Sequence, residues 1–178
     1  MGEEVARPKE AILVIDMLND FCREGAPLDV PATRAVIPNI AREIRRVRSE
    51  DGKVVYICDA HAPDDIEFRN WPAHAVAGTV GAQVVTELAP LPGDAIVEKD
   101  TLLCFHRTSL DQVLEKSRVN TLTITGCVTN ICVMYSATEA VVRGYKVRVP
   151  RDCVAGLDPE MHEFALRQIK EVLKAEIV

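Results

Sequence analysis

An acid, an ammonium and a thiol held together can split an amide or ester, and this chain offers that set at the ends of successive apolar runs. Asp16 closes Ala-Ile-Leu-Val-Ile-Asp, Asp59 closes Val-Val-Tyr-Ile-Cys-Asp, and Lys99 lies two residues past Ala-Ile-Val. Cys132 follows Gly126-Cys127-Val128-Thr129, where a fourth run turns toward a helix. A cysteine in a helix's first turn feels the positive end of the dipole, so Cys132 is expected to be enriched in thiolate, and Lys99 would push the same way. Asp16 could take the thiol proton and pass it to a leaving group, and backbone amides near Val128 and Cys132 would face an oxyanion. Cys104, which follows Lys99 in a loop, is the rival thiol. Cys58 must point away from Asp59, and Cys22, Cys127 and Cys153 read as core filler. A second constellation, Asp59-x-His61 with His74 further on, suits a divalent ion, Zn²⁺ first and Fe²⁺ or Mn²⁺ next. The plainer reading makes Asp59 and His61 ordinary loop polars and His74 a surface residue. His106 and His162 read as structural or surface residues.

Those residues need a scaffold that brings strand ends to one edge. Short, largely β-branched runs at 11–15, 54–58, 95–97, 122–125 and 146–149 read as buried strands, and 175–178 could add a final one. Helical spacing lies between them. Val36, Ile40, Ile44 and Val47 form one stripe, with Pro38 tolerable only in a first turn. Leu110, Val113 and Leu114 follow a cap at Ser109 or Thr108, and Ala137, Ala140 and Val141 end at Gly144. Asp158-Pro159-Glu160 opens a last helix, with Met161, Ala165, Ile169 and Val172 expected to face inward. The alternation predicts a three-layer α/β/α domain spanning 1–178, with a mostly parallel sheet of five or six strands. The irregular stretch 60–92 reads as a functional loop.

Composition narrows the role. Of 178 residues 48% are hydrophobic and 27% charged, which supports a full core, and the net charge of −6 argues against a nucleic-acid groove. No apolar run approaches the ~20 residues of a membrane span. The opening Met-Gly-Glu-Glu shows no apolar leader, and Ala6 breaks the myristoylation pattern, so a reducing cytoplasm with free thiols is expected.

The segment Ala11 to Phe21, with Asp16, Asp20 and Phe21, resembles the first strand of the isochorismatase-like cysteine hydrolases. Gly126-Cys127-Val128-Thr129-Asn130-Ile131-Cys132-Val133, then Ser136-Ala137 and Gly144-Tyr145, resembles their nucleophile signature, and Lys99 to Leu110 their lysine block. The resemblance covers nearly the whole chain. It implies a catalytic Asp16–Lys99–Cys132 triad and a cis peptide between Val128 and Thr129 that exposes oxyanion amides at Val128 and Cys132. Within the family, Asp59, His61 and Trp71-Pro72-Ala73-His74 resemble the nicotinamidase metal loop. That implies a metal held by Asp59, His61 and His74, with Phe21 and Trp71 packing on a flat substrate. Ile131 stands where nicotinamidases often carry an aromatic residue or histidine, and no further histidine lies between His61 and His74. The expected activity is hydrolysis of a small carboxamide through a thioester, nicotinamide to nicotinate foremost. The alternatives are a related amidase or carbamoyl hydrolase, and a non-catalytic binding module. The resemblance allows a homo-oligomer, though no apolar stripe names an interface.

Overall fold

A computed structural model describes residues 9–178; the N-terminal stretch read above for leader and lipidation signals lies outside them. The strands are β1 (Lys9–Ile15), β2 (Lys53–Asp59), β3 (Ala95–Lys99), β4 (Val119–Cys127), β5 (Lys146–Val149), β6 (Val154–Ala155) and β7 (Glu176–Ile177). Every pairing is parallel, in the order β3-β2-β1-β4-β5-β7, with β6 attached to the end of β4. That path has the six strands expected, and β6 adds a seventh. The addition, β6, is only two residues long, too short to leave a pattern in sequence.

The helices are α1 (Asn19–Cys22), α2 (Thr33–Ser49), α3 (Leu110–Lys116), α4 (Met134–Val142) and α5 (Pro159–Glu171). Because successive strand residues face opposite sides, Ile12 and Val14 pack toward α2, whereas Ala11, Leu13 and Ile15 pack toward α3, α4 and α5. Both faces of β1 are thus buried, and each fully buried Val, Leu or Ile contributes about 1.5–3 kcal/mol. The result is the expected three-layer α/β/α arrangement.

Local signals place most helix ends. Asp158 caps α5 by accepting the Met161 N–H at 2.8 Å, with Pro159 at the first helical position. Gly144, at φ +87, closes α4: its N–H reaches the Val141 carbonyl while that of Tyr145 reaches Ala140. Ser109 precedes α3 without a side-chain cap bond; the Thr108 hydroxyl accepts the Leu110 N–H instead, at 3.3 Å. Two expectations fail. α2 begins at Thr33, so Pro38 falls in its second turn, and the Arg34 carbonyl loses its usual N–H partner there. Met161 and Val172 are exposed, since the buried stripe of α5 is Ala165, Leu166 and Ile169.

The chain winds from β1 to β3 in one direction and from β4 to β7 in the other. The strand order therefore reverses between β1 and β4, the position where open parallel sheets bind ligands. Gly126, at φ +111, lets the two strands close up here. A methyl group on it would sit 2.0 Å from the Ile15 carbonyl oxygen.

Candidate active site

Four adjacent strands deliver the reactive side chains to one edge. Asp16 follows β1, Asp59 ends β2, Lys99 ends β3, and Cys132 lies in the widened turn Thr129–Val133 between β4 and α4. The Lys99 Nζ lies 2.9 Å from Asp16 Oδ2 and 3.7 Å from Cys132 Sγ, and it also contacts Asp59 Oδ1. Asp16 Oδ1 accepts the Asp59 backbone N–H at 3.0 Å. Asp16 itself holds a left-handed backbone (φ 51), and its N–H donates to the Ile57 carbonyl. Such a conformation in a non-glycine residue costs about 1–3 kcal/mol and is characteristic of sites.

Electrostatics separate the two carboxylates. Burial, reinforced by the charge of Asp59, raises Asp16 to about 6. For Asp59 burial acts in the same direction, but Lys99 and His61 together hold it below the ordinary range. Lys99 stays charged: burial disfavours the ammonium, and the charges of Asp16 and Asp59 outweigh it. The thiol of Cys132 departs from expectation. Burial pushes it well above 9, and the opposing pull of Lys99 is undercut by Asp16 and Asp59. Cys132 also precedes α4 rather than sitting in its first turn. Burial thus favours a thiol beside the carboxylate over a preformed thiolate.

Cys132 is the one partly exposed cysteine; the other five are buried and none is in a disulfide. Cys104 is fully buried, bonds to the Ser136 hydroxyl at 2.6 Å and does not line the cleft that Cys132 faces, which removes the rival thiol. The cis peptide lies between Cys127 and Val128, one bond earlier than the resemblance implied. A non-proline cis bond has no residue signature, so sequence alone could not have placed it.

The second constellation shares Asp59 with the first. Asp59, His61 and His74 each offer a ligand atom within 4.8 Å of the others. Fit to a cation can be judged from the histidines. His61 Nδ1 pairs with Asp65 Oδ2 at 3.1 Å and His74 Nδ1 with the Pro72 carbonyl at 2.7 Å. Both Nε2 atoms are left for a ligand, and that of His61 is buried with no hydrogen-bond partner among the described residues. The Asp59 carboxylate, whose Oδ2 lies 3.8 Å from Nε2, and the bond to Asp65 outweigh burial and raise His61 to about 9. The same negative field attracts a divalent cation, and one carboxylate with two imidazoles is a donor set that zinc accepts. Asp16, Asp59 and Cys132 also converge within 4.8 Å, but the Lys99 ammonium already stands among them and repels a second cation.

Three residues of this loop escaped the sequence reading. Asp65 holds His61, Glu67 Oε1 lies 3.9 Å from His74 Nε2, and the Phe68 ring stands edge-on to both histidines at 5.5 and 5.6 Å. A carboxylate four residues after His61 was the available signal for Asp65.

Both clusters open into a cleft of about 1220 Å³, above the ~300–1,000 Å³ usual for small-molecule sites. Phe21, Trp71, Ile131 and Tyr135 line it, and Phe21 meets the His74 ring edge-on at 5.5 Å. Four carboxylates line it too, Asp16, Asp29, Asp59 and Glu67, whereas no lysine or arginine does among the described residues. Lys99 is buried behind them, and Arg34 pairs with Asp29 at 2.7 Å.

This edge-of-sheet site on a parallel α/β scaffold has known counterparts. The isochorismatase domain matches residues 10–177, and the chain belongs to that family; it is a hydrolase of amide C–N bonds. It is 39% identical to an isochorismatase-like hydrolase from Alkaliphilus metalliredigens (TM-score 0.89, covering 95% of this chain and 93% of that one). A pyrazinamidase of Pyrococcus horikoshii, solved in complex with zinc, is 32% identical, with TM-score 0.90 and coverage of 96% and 99%. An N-carbamoylsarcosine amidase from Thermoplasma acidophilum is also 32% identical, with TM-score 0.86 and 95% coverage of each chain. Among the described residues no helix is long and apolar enough to cross a membrane.

Proposed function

We propose that this amidohydrolase cleaves a small, uncharged aromatic carboxamide, nicotinamide foremost, through a thioester on Cys132. The observation that carries this is the Lys99 ammonium, which holds Asp16 at 2.9 Å and lies 3.7 Å from Cys132 Sγ. Asp16 takes the thiol proton as sulfur attacks the carbonyl carbon, and the carbonyl electron pair moves onto oxygen, which the Val128 and Cys132 N–H groups stabilise. Collapse of that intermediate breaks the C–N bond, and Asp16 returns its proton to the nitrogen so that ammonia leaves. Asp16 then draws a proton from water, hydroxide adds to the thioester, and the acid departs with regeneration of the thiol. Lys99 compensates the charge on Asp16 throughout.

Phe21 and Trp71 provide apolar walls for a flat ring. Asp59, His61 and His74 would hold the metal, with Zn²⁺ the best fit to their donors and to the zinc complex of the Pyrococcus relative. A bound ion would supply an open coordination position for a ring heteroatom. The charge lining separates this reading from the carbamoyl hydrolases. N-carbamoylsarcosine carries a free carboxylate, and among the described residues no lysine or arginine lines the cleft to pair with it. Ammonia release should therefore be at least about tenfold faster, as kcat/KM, for nicotinamide or pyrazinamide than for N-carbamoylsarcosine, a difference of ~1.4 kcal/mol. The reverse preference would refute the substrate assignment, and activity indifferent to chelation would remove the metal from it.

A further inference from the structure

The turn that carries Cys132 is irregular. Ile131, within it, has non-helical backbone angles (φ −122, ψ −106), so the turn lacks the uniform hydrogen-bond ladder that would fix its N–H groups. One side-chain hydrogen bond among the described residues ties it to α5. Thr129 is fully buried, and its hydroxyl lies 2.8 Å from His162 Nδ1. His162 is itself fixed: its N–H reaches the Asp158 carbonyl at 2.9 Å, and its Cβ packs so closely on residue 156 that a methyl group there would come within 3.0 Å. Gly156 thus makes room for the imidazole, and the α5 cap at Asp158 sets its height.

We propose that His162 is a positioning residue for the oxyanion-binding backbone, acting through Thr129 to fix the N–H groups of Val128 and Cys132. The inference rests on the amidohydrolase reading above. Oxyanion donors must stand within about 2.7–3.1 Å of where charge develops, so small rotations of this turn weaken them while leaving the thiol in place. A buried hydroxyl also needs its partner, and here the partner belongs to another helix.

Two reagents separate this role from general damage. Pyridine-3-carbaldehyde adds to the Cys132 thiol: the S–H proton passes to Asp16, an S–C bond forms, the carbonyl electron pair moves onto oxygen, and the product needs the oxyanion donors. Iodoacetamide alkylates the same sulfur by displacing iodide and needs none. His162→Ala should lose about tenfold to a hundredfold in aldehyde affinity and in kcat at near-constant KM, less than deletion of a whole donor. Its alkylation rate should stay within about twofold of wild type. His162→Asn, whose amide can replace Nδ1, should recover most of the loss. Unchanged aldehyde affinity in His162→Ala overturns the inference. So does a proportional fall in alkylation, which would mean plain structural collapse, and so does a wild-type enzyme that is alkylated but takes up no aldehyde. Cys132→Ala serves as the separate control: ammonia release that survives it overturns the amidohydrolase mechanism itself.

Discussion

Asp16 has the most demanding position of any side chain in the molecule. In the proposed mechanism it is ionised to accept a proton from Cys132 and protonated a moment later to release ammonia, so a value near neutrality serves both steps. Burial and the neighbouring Asp59 raise it to about 6, while burial keeps the Cys132 thiol protonated. The sign follows: as pH falls through about 6, Asp16 is protonated in the free enzyme and can no longer act as base. A pH profile of kcat/KM should show an acid limb with an apparent midpoint near 6, falling tenfold per unit below it. A limb centred near 4, the ordinary carboxylate range, would show that burial and Asp59 do not raise Asp16 in the free enzyme. The identities of these residues were legible from their places after apolar runs. Their charge states were not, because the expected thiolate at Cys132 ignored burial and two carboxylates that only folding brings near it.

Among the elements, the parallel strands explain why a dispersed sequence makes one site. β1, β2, β3 and β4 end side by side, and their short β-branched runs made this edge readable in advance. β6, two residues long, was not readable, and the start of α2 was misplaced because Thr33 and its neighbours carry no apolar stripe. The loop of the proposed metal site depends on a bond that no local pattern signals. Asp20, in α1, accepts the Ala75 N–H at 2.8 Å across 55 positions of sequence. Ala75 follows His74 with a left-handed φ of 43, so this carboxylate braces the histidine. Asp20→Ala leaves that N–H unpaired and should weaken zinc affinity by about tenfold to a hundredfold, as loss of outer partners typically does. Competition with a chromogenic zinc indicator measures this; unaltered affinity would show that the brace does not serve the ion.

At the level of the whole molecule, the two constellations seen in sequence prove to be one. Asp59 turns one oxygen to Lys99 and the other toward His61, which lies 3.8 Å away, so the acid–thiol cluster and the imidazole pair share a side chain. Ile66, Trp71, Leu102, Tyr135, Leu157, Met161 and Phe164, all exposed, gather around the same cleft, giving it an apolar mouth over an acidic floor. Neither the mouth nor the charge of the floor could be read from spacing, since they join five separate segments. Together they are the basis of the proposed preference for a neutral, flat amide. The central claim is that such an amide is opened by Cys132 through a thioester. Acid quenching during turnover of nicotinamide, followed by mass spectrometry of the proteolysed chain, tests it most directly. The account predicts a nicotinoyl group on Cys132, located by fragmentation of the peptide it shares with Cys127, and none on the other five cysteines. Full turnover by Cys132→Ala, or an acyl group lodged on another residue, would contradict it.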